Sequence, residues 1–140
     1  MLDDTLVCLS RSRMDCATED LATAYENMKA GRYKAANNRA YYAIFHAIRA
    51  VLALDSVDLK EHCQIIDYFN ENYFSANLLD NYLKVVIKYA SDSRCRSDYE
   101  DFYVATLGEA MRNIDGAEGV LAAVEGHIAS RLNAESIQQG

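Results

Sequence analysis

No proline occurs anywhere in the 140 residues, and there are only six glycines. Proline stops helices and interrupts sheet ladders, so a chain without it is free to run long helices. Apolar residues recur at helical spacing, and no stretch shows the period-two alternation of a half-buried strand. The expectation is an all-α fold, an antiparallel bundle of four to five helices with short loops. With 51% apolar residues, a chain of this length can bury a core without disulfides or metal.

The same spacing predicts the elements. A short leading helix is expected over residues 2–13, with Leu2, Leu6 and Leu9 on one side. The next helix is expected to start at Thr18, a plausible N-cap followed by Glu19 and Asp20 in the first turn, and to stop at Gly31. A helix over residues 33–54 carries an apolar stripe and, on a second flank, Ala36, Ala40, Ala43, Ala47 and Ala50. Two buried faces make it the central helix. Residues 55–58 read as a connection, 59–73 and 77–90 as the third and fourth helices, and the polar, basic stretch 91–97 as a loop. The last helix is expected over 99–132. Gly108, Gly116, Gly119 and Gly126 weaken it, with a kink or break near Asp115-Gly116. The resulting division is an N-terminal extension at 1–14, one helical domain at 15–132 and a flexible tail at 133–140.

Charge narrows the function. The net charge of −7 opposes nonspecific nucleic-acid binding over the whole surface. Residues 27–54, however, contain no acid and five cations, Lys29, Arg32, Lys34, Arg39 and Arg49. An acidic protein with one basic window can attract an anion there. The four cysteines form no CxxC pair, and the chain opens Met-Leu-Asp-Asp without a basic or apolar leader. Reduced thiols in a cytoplasmic protein are expected, with no membrane segment.

Within the basic window, Arg39 and His46 lie seven residues apart. On a helix they project about 20° from each other and away from the stripe that holds Tyr41, Ile44, Phe45, Ile48 and Leu52. Imidazole suits proton transfer near neutral pH, and guanidinium suits a phosphate. The pair therefore fits cleavage of an RNA phosphodiester without a metal, His46 as acid or base and Arg39 stabilising charge on the phosphate. The alternative is structural: His46 bonds a neighbouring helix and Arg39 forms an ion pair. Asn38, Tyr42 and Arg49 flank the pair as candidates to hold a base or phosphate, although Tyr42 equally suits a helix or subunit interface. Farther on, Arg94 or Arg96 can add positive charge to the same cleft. Alternatively one of them pairs with an acid while Asp98 caps the last helix. His46, His62 and His127 have no metal-ligand spacing, and neither a metal nor a cofactor is expected. Phosphate-loop, dinucleotide-turn and nucleophile-elbow signatures are missing.

The segment Asn38-Arg39-Ala40-Tyr41-Tyr42-Ala43-Ile44-Phe45-His46-Ala47-Ile48-Arg49-Ala50 resembles the first signature of small stand-alone HEPN-domain proteins of prokaryotes. Glu61-His62 with Ile65, Ile66 and Phe69 resembles the family's third helix, and Arg94-x-x-x-Asp98-Tyr99 resembles its Arg…Asp-Tyr segment. The resemblance implies a helical bundle, usually a homodimer. It also implies an Arg-x(4–6)-His ribonuclease site that Arg39 and His46 match at its upper length. Many such proteins are toxins paired with a nucleotidyltransferase-type antitoxin. Others are noncatalytic modules that bind a nucleotide or a partner.

Overall fold

The computed structural model describes residues 2–139, with side-chain surroundings through Glu135. Five α-helices follow in order: α1 (Asp4–Lys29), α2 (Tyr33–Leu54), α3 (His62–Phe69), α4 (Tyr82–Tyr99) and α5 (Leu107–Gln139). A π-helical turn, Asn70–Phe74, continues α3. No strand occurs among the described residues, so the all-α expectation holds.

α2 is the central helix, in contact with the other four. Fourteen of its 22 residues are buried, which leaves a single stripe for solvent. Burying a side chain the size of Ile44 or Ile48 contributes about 1.5–3 kcal/mol. The alanine flank receives α1, whose Ala17 and Ala24 are fully buried. Gly31, at φ +80°, allows the tight reversal between α1 and α2. α5 runs alongside α2 in the same direction. The buried Asn37 donates to Glu109 Oε1 at 2.8 Å and accepts from Asn113 at 2.9 Å.

Several boundaries differ from the sequence expectation. α1 is one helix, with no start at Thr18. Its cap is Asp3, which accepts from the Thr5 amide at 2.7 Å. No glycine interrupts residues 11–18, and the Thr18 hydroxyl donates back to the Met14 carbonyl. The third helix gives way to the π turn, which turns Phe69, Tyr73 and Phe74 all inward. Phe69 stacks on Tyr73 at 4.9 Å and meets Phe74 edge-on at 5.5 Å.

α4 begins later than residue 77 and continues through the stretch read as a loop. Ile87, Ala90, Ser93 and Ser97 form its buried face, so tertiary packing overrides the weak helical preference of the serines. Asp98 consequently lies in the last turn of α4 rather than capping the final helix. That role falls to Thr106, whose hydroxyl accepts from the Glu109 amide at 3.2 Å. α5 runs unbroken past Gly116 and on to Gln139, through residues expected to fray. A Cβ at Gly116 would lie 2.5 Å from Val86 Cγ1, so this glycine lets α4 approach α5 closely.

Candidate functional site

α2 places Arg39, Tyr42, His46 and Arg49 on the stripe that the core leaves free, and all four are half-buried. α1, packed on the alanine flank, contributes Asp20 to this stripe. One carboxylate oxygen lies 3.2 Å from Arg39 Nη1, and the other lies 3.6 Å from His46 Nε2. Arg39 and His46 therefore meet through a shared acid, and neither is sealed from solvent: their side chains are 39% and 27% exposed. The sequence alternative of an ion pair for Arg39 is realised, with Asp20 as its partner.

Tyr42 organises the next ring of contacts. The Arg39 guanidinium lies over its ring at 5.1 Å, and Arg94 of α4 lies over it at 5.4 Å. Arg94 also donates to the Tyr42 hydroxyl at 3.3 Å and pairs with Asp98 at 3.7 Å. A cation above an aromatic face contributes about 0.5–2 kcal/mol. Arg49 sits over Phe45 at 6.0 Å, while its carbonyl accepts from Arg13 of α1 at 2.9 Å.

The remaining candidates separate. Asn38 is half-buried. Its Oδ1 accepts from Arg39 Nη2 at 3.4 Å, and its side chain also lines an open groove of about 650 Å³ beside Arg32, Lys34 and Tyr103. Of the two arginines offered by the Arg94–Arg96 segment, only Arg94 joins the cluster. Arg96 pairs with Glu109 at 3.7 Å and lies over Tyr103.

Sequence reasoning missed two members of the cluster. In the sequence Asp20 reads only as a first-turn acid. His62, which has no metal-ligand spacing, lies with its Nδ1 2.9 Å from the Tyr41 hydroxyl and its ring stacked on Phe45 at 4.0 Å. Helical spacing cannot register contacts between helices. The one signal available for His62 was its place in the resemblance to the family's third helix.

Electrostatics favour neutral imidazoles. Burial pushes His46 below its ordinary value of 6.5; Asp20 opposes this, and Arg49, Arg39 and Arg13 push the same way as burial. His62 is lowered by burial first, then by Arg94 and Arg49, against Glu61. Burial raises Tyr41, against the pull of Arg94. The cluster can thus offer neutral bases beside several fixed positive charges, a combination suited to an anionic ester. Among the described residues, no group of three or more His, Cys, Asp or Glu side chains is placed to hold a metal ion. No helix among them is long and apolar enough to cross a membrane.

A helical bundle packed around one central helix defines the class of fold, and the comparisons with known proteins give the family. The HEPN domain model matches residues 10–127, and the chain belongs to that family. It is 30% identical over 105 residues to the UPF0332 protein PH1297 of Pyrococcus horikoshii, covering 75% of this chain and 70% of that protein. It is 28% identical over 86 residues to MJ0605 of Methanocaldococcus jannaschii, named as a candidate toxin, covering 61% of this chain and 64% of that one. The crystal structure of ST0689, an archaeal HEPN homologue, superposes with a TM-score of 0.62 at 21% identity. The match covers 85% of this chain and 97% of that chain, a likeness of fold.

Proposed function

We propose that this HEPN-domain protein is a metal-independent endoribonuclease, the toxin of a toxin–antitoxin pair. The observation that carries the reading is the convergence of Arg39 and His46 on Asp20 at 3.2 and 3.6 Å, on a solvent-accessible stripe flanked by Arg49 and Arg94. His46 moves protons at the 2′-hydroxyl and the phosphodiester, and Arg39 stabilises the charge that builds on the phosphate. Asp20 orients the imidazole and holds the guanidinium until a phosphate displaces it. Tyr42, Arg94, Arg49 and Asn38 bind the flanking nucleotide. The candidate-toxin name of the Methanocaldococcus relative supports the physiological role. The protein acts as a homodimer in the cytoplasm, and its neutralising partner is a nucleotidyltransferase-type antitoxin.

The test is cleavage of total RNA and tRNA in the presence of EDTA by the wild type, Arg39→Ala and His46→Ala. Cleavage by the wild type alone, with all three proteins folded, supports the reading. A noncatalytic nucleotide- or partner-binding module is the second reading. It is favoured by the fact that Arg39 and His46 already have a partner in Asp20. Thermal stabilisation by nucleotides without any RNA cleavage would establish it in place of the first.

A further inference from the structure

His62 stands outside every role assigned so far, yet its position is specific. It is half-buried, on the first turn of α3. Its Nδ1 is held by the Tyr41 hydroxyl at 2.9 Å, and its ring is clamped against Phe45 at 4.0 Å and 16°. The centroid of the Tyr42 ring lies 6.1 Å from the His62 ring and 6.2 Å from the His46 ring. Arg39 and Arg94 stand over that same phenol at 5.1 and 5.4 Å. Two imidazoles and two guanidiniums, drawn from α2, α3 and α4, therefore surround one aromatic ring.

Their partners differ in kind. His46 Nε2 faces a carboxylate. Asp20 favours a proton on that nitrogen, leaves Nδ1 free to accept another, and stabilises the imidazolium that results. His62 Nδ1 faces a phenol. When His62 is an imidazolium, its Nδ1–H donates to the Tyr41 oxygen and its Nε2–H is left for another acceptor. The groups facing it are Arg94 from α4, Arg49, His46 and Tyr41 from α2, and its neighbour Glu61. Burial and the two arginines together outweigh the single acid, so an imidazolium there gives up its proton readily.

We infer that His62 is the general acid of the phosphodiester cleavage, that His46 is its general base, and that Tyr41 is a positioning residue for His62. The inference rests on the ribonuclease reading above. His46 takes the proton of the 2′-hydroxyl, and the 2′-oxygen forms a bond to phosphorus. The bond from phosphorus to the 5′-oxygen breaks, and that oxygen receives the Nε2 proton of His62. The products are a 2′,3′-cyclic phosphate and a 5′-hydroxyl end. Exchange with water returns the proton to His62 and removes it from His46.

A general acid is dispensable when the leaving group needs no proton. The experiment compares an oligoribonucleotide with ribonucleoside 3′-(4-nitrophenyl phosphates), whose nitrophenolate leaves unprotonated. The proteins are wild type, His46→Ala, His62→Ala and Tyr41→Phe. His62→Ala is expected to lose about 10²-fold or more on RNA while staying within about threefold of wild type on the nitrophenyl esters. His46→Ala loses on both. In the wild type, the alkaline limb of kcat/KM on RNA falls on the acid side of 6.5, as the lowered His62 requires. It vanishes with the nitrophenyl esters. Tyr41→Phe removes an acceptor from the imidazolium and moves this limb to lower pH. Retained activity on the esters also shows that His62→Ala is folded. Equal loss by His62→Ala on both substrates, or no loss on either, overturns the inference and leaves the ribonuclease reading standing. Failure of the folded wild type on both substrates removes that reading, and this inference with it.

Discussion

Among the described residues, two aspartate–arginine pairs anchor one helix to another, and they are built differently. At the C-terminal end of α2, Asp55 accepts from Arg131 of α5 at 2.6 Å and from the Tyr73 hydroxyl at 2.6 Å, with Tyr68 at 3.4 Å. Arg131 also donates to the Leu54 carbonyl at 3.2 Å. Toward the other end of α2, Asp20 holds Arg39 at 3.2 Å and His46 at only 3.6 Å, and among the described residues neither carboxylate oxygen has a second hydrogen bond. The first pair is a saturated tie that joins α2, the π turn and α5. The second is loosely satisfied, and an incoming phosphate can compete for its guanidinium. The same two residue types thus make a rigid tie where the hydrogen bonds are short and complete, and a pair whose guanidinium is open to exchange where they are not.

The comparison can be broken most decisively at the loose pair. His46→Ala is expected to lower RNA cleavage by about 10²–10⁴-fold while changing stability by less than about 1 kcal/mol. A variant that unfolds instead would make this cluster structural. The tight pair should behave in the opposite sense. Asp55→Ala removes the carboxylate that pairs Arg131 and accepts from the Tyr73 hydroxyl, and should cost about 2–3 kcal/mol in urea unfolding, with cleavage at low temperature unchanged. Loss of cleavage by folded Asp55→Ala would erase the division between the two regions.

Asp20→Asn is a finer probe. Asp20 is the group that opposes the downward push on His46, so its loss moves the His46 pKa, and the acid limb of kcat/KM, to lower pH. Cleavage falls about tenfold, and stability changes by less than about 0.5 kcal/mol, because water still reaches the half-buried Arg39. Histidine proton NMR reads the shift directly, and an upward shift would contradict the arrangement.

The smallest effect is on stability against pH. His46, His62 and His127 are all held below 6.5 by burial. Below 6.5 the unfolded chain binds protons that the native state does not, so stability falls as the pH drops and levels off below the folded-state values. Urea midpoints measured from about pH 7 to about pH 5 should decline. His127→Gln should flatten part of that decline, because His127 sits beside Arg131 in the tight cluster.

Much of this was legible in the chain. The absence of proline and the apolar spacing of α2 announce a helical bundle with a central helix, because backbone permissiveness and amphipathic period are local properties. Arg39, Tyr42, His46 and Arg49 share a face because their spacing dictates it. The segment containing Arg94 reads as a loop in the sequence and is helical in the structure. Serines and arginines are weak evidence for a helix until Ser93 and Ser97 are seen buried against their neighbours. Gly116 looked like a breaker and is instead a site of close approach, which depends on Val86, thirty residues away in the chain.

By itself, then, the sequence determined the fold class, the identity of the central helix and the stripe on which Arg39 and His46 stand. All of these follow from interactions within a few residues. Only the tertiary structure decided that Asp20 joins that pair, that Arg94 rather than Arg96 reaches Tyr42, and that His62 lies against Tyr41 and Phe45. Those contacts come from side chains on separate helices, and their partners are set by how α1, α3 and α4 pack on α2. No periodicity along one strand of chain encodes that packing, because it depends on the combined shape and volume of all the faces that meet in the core.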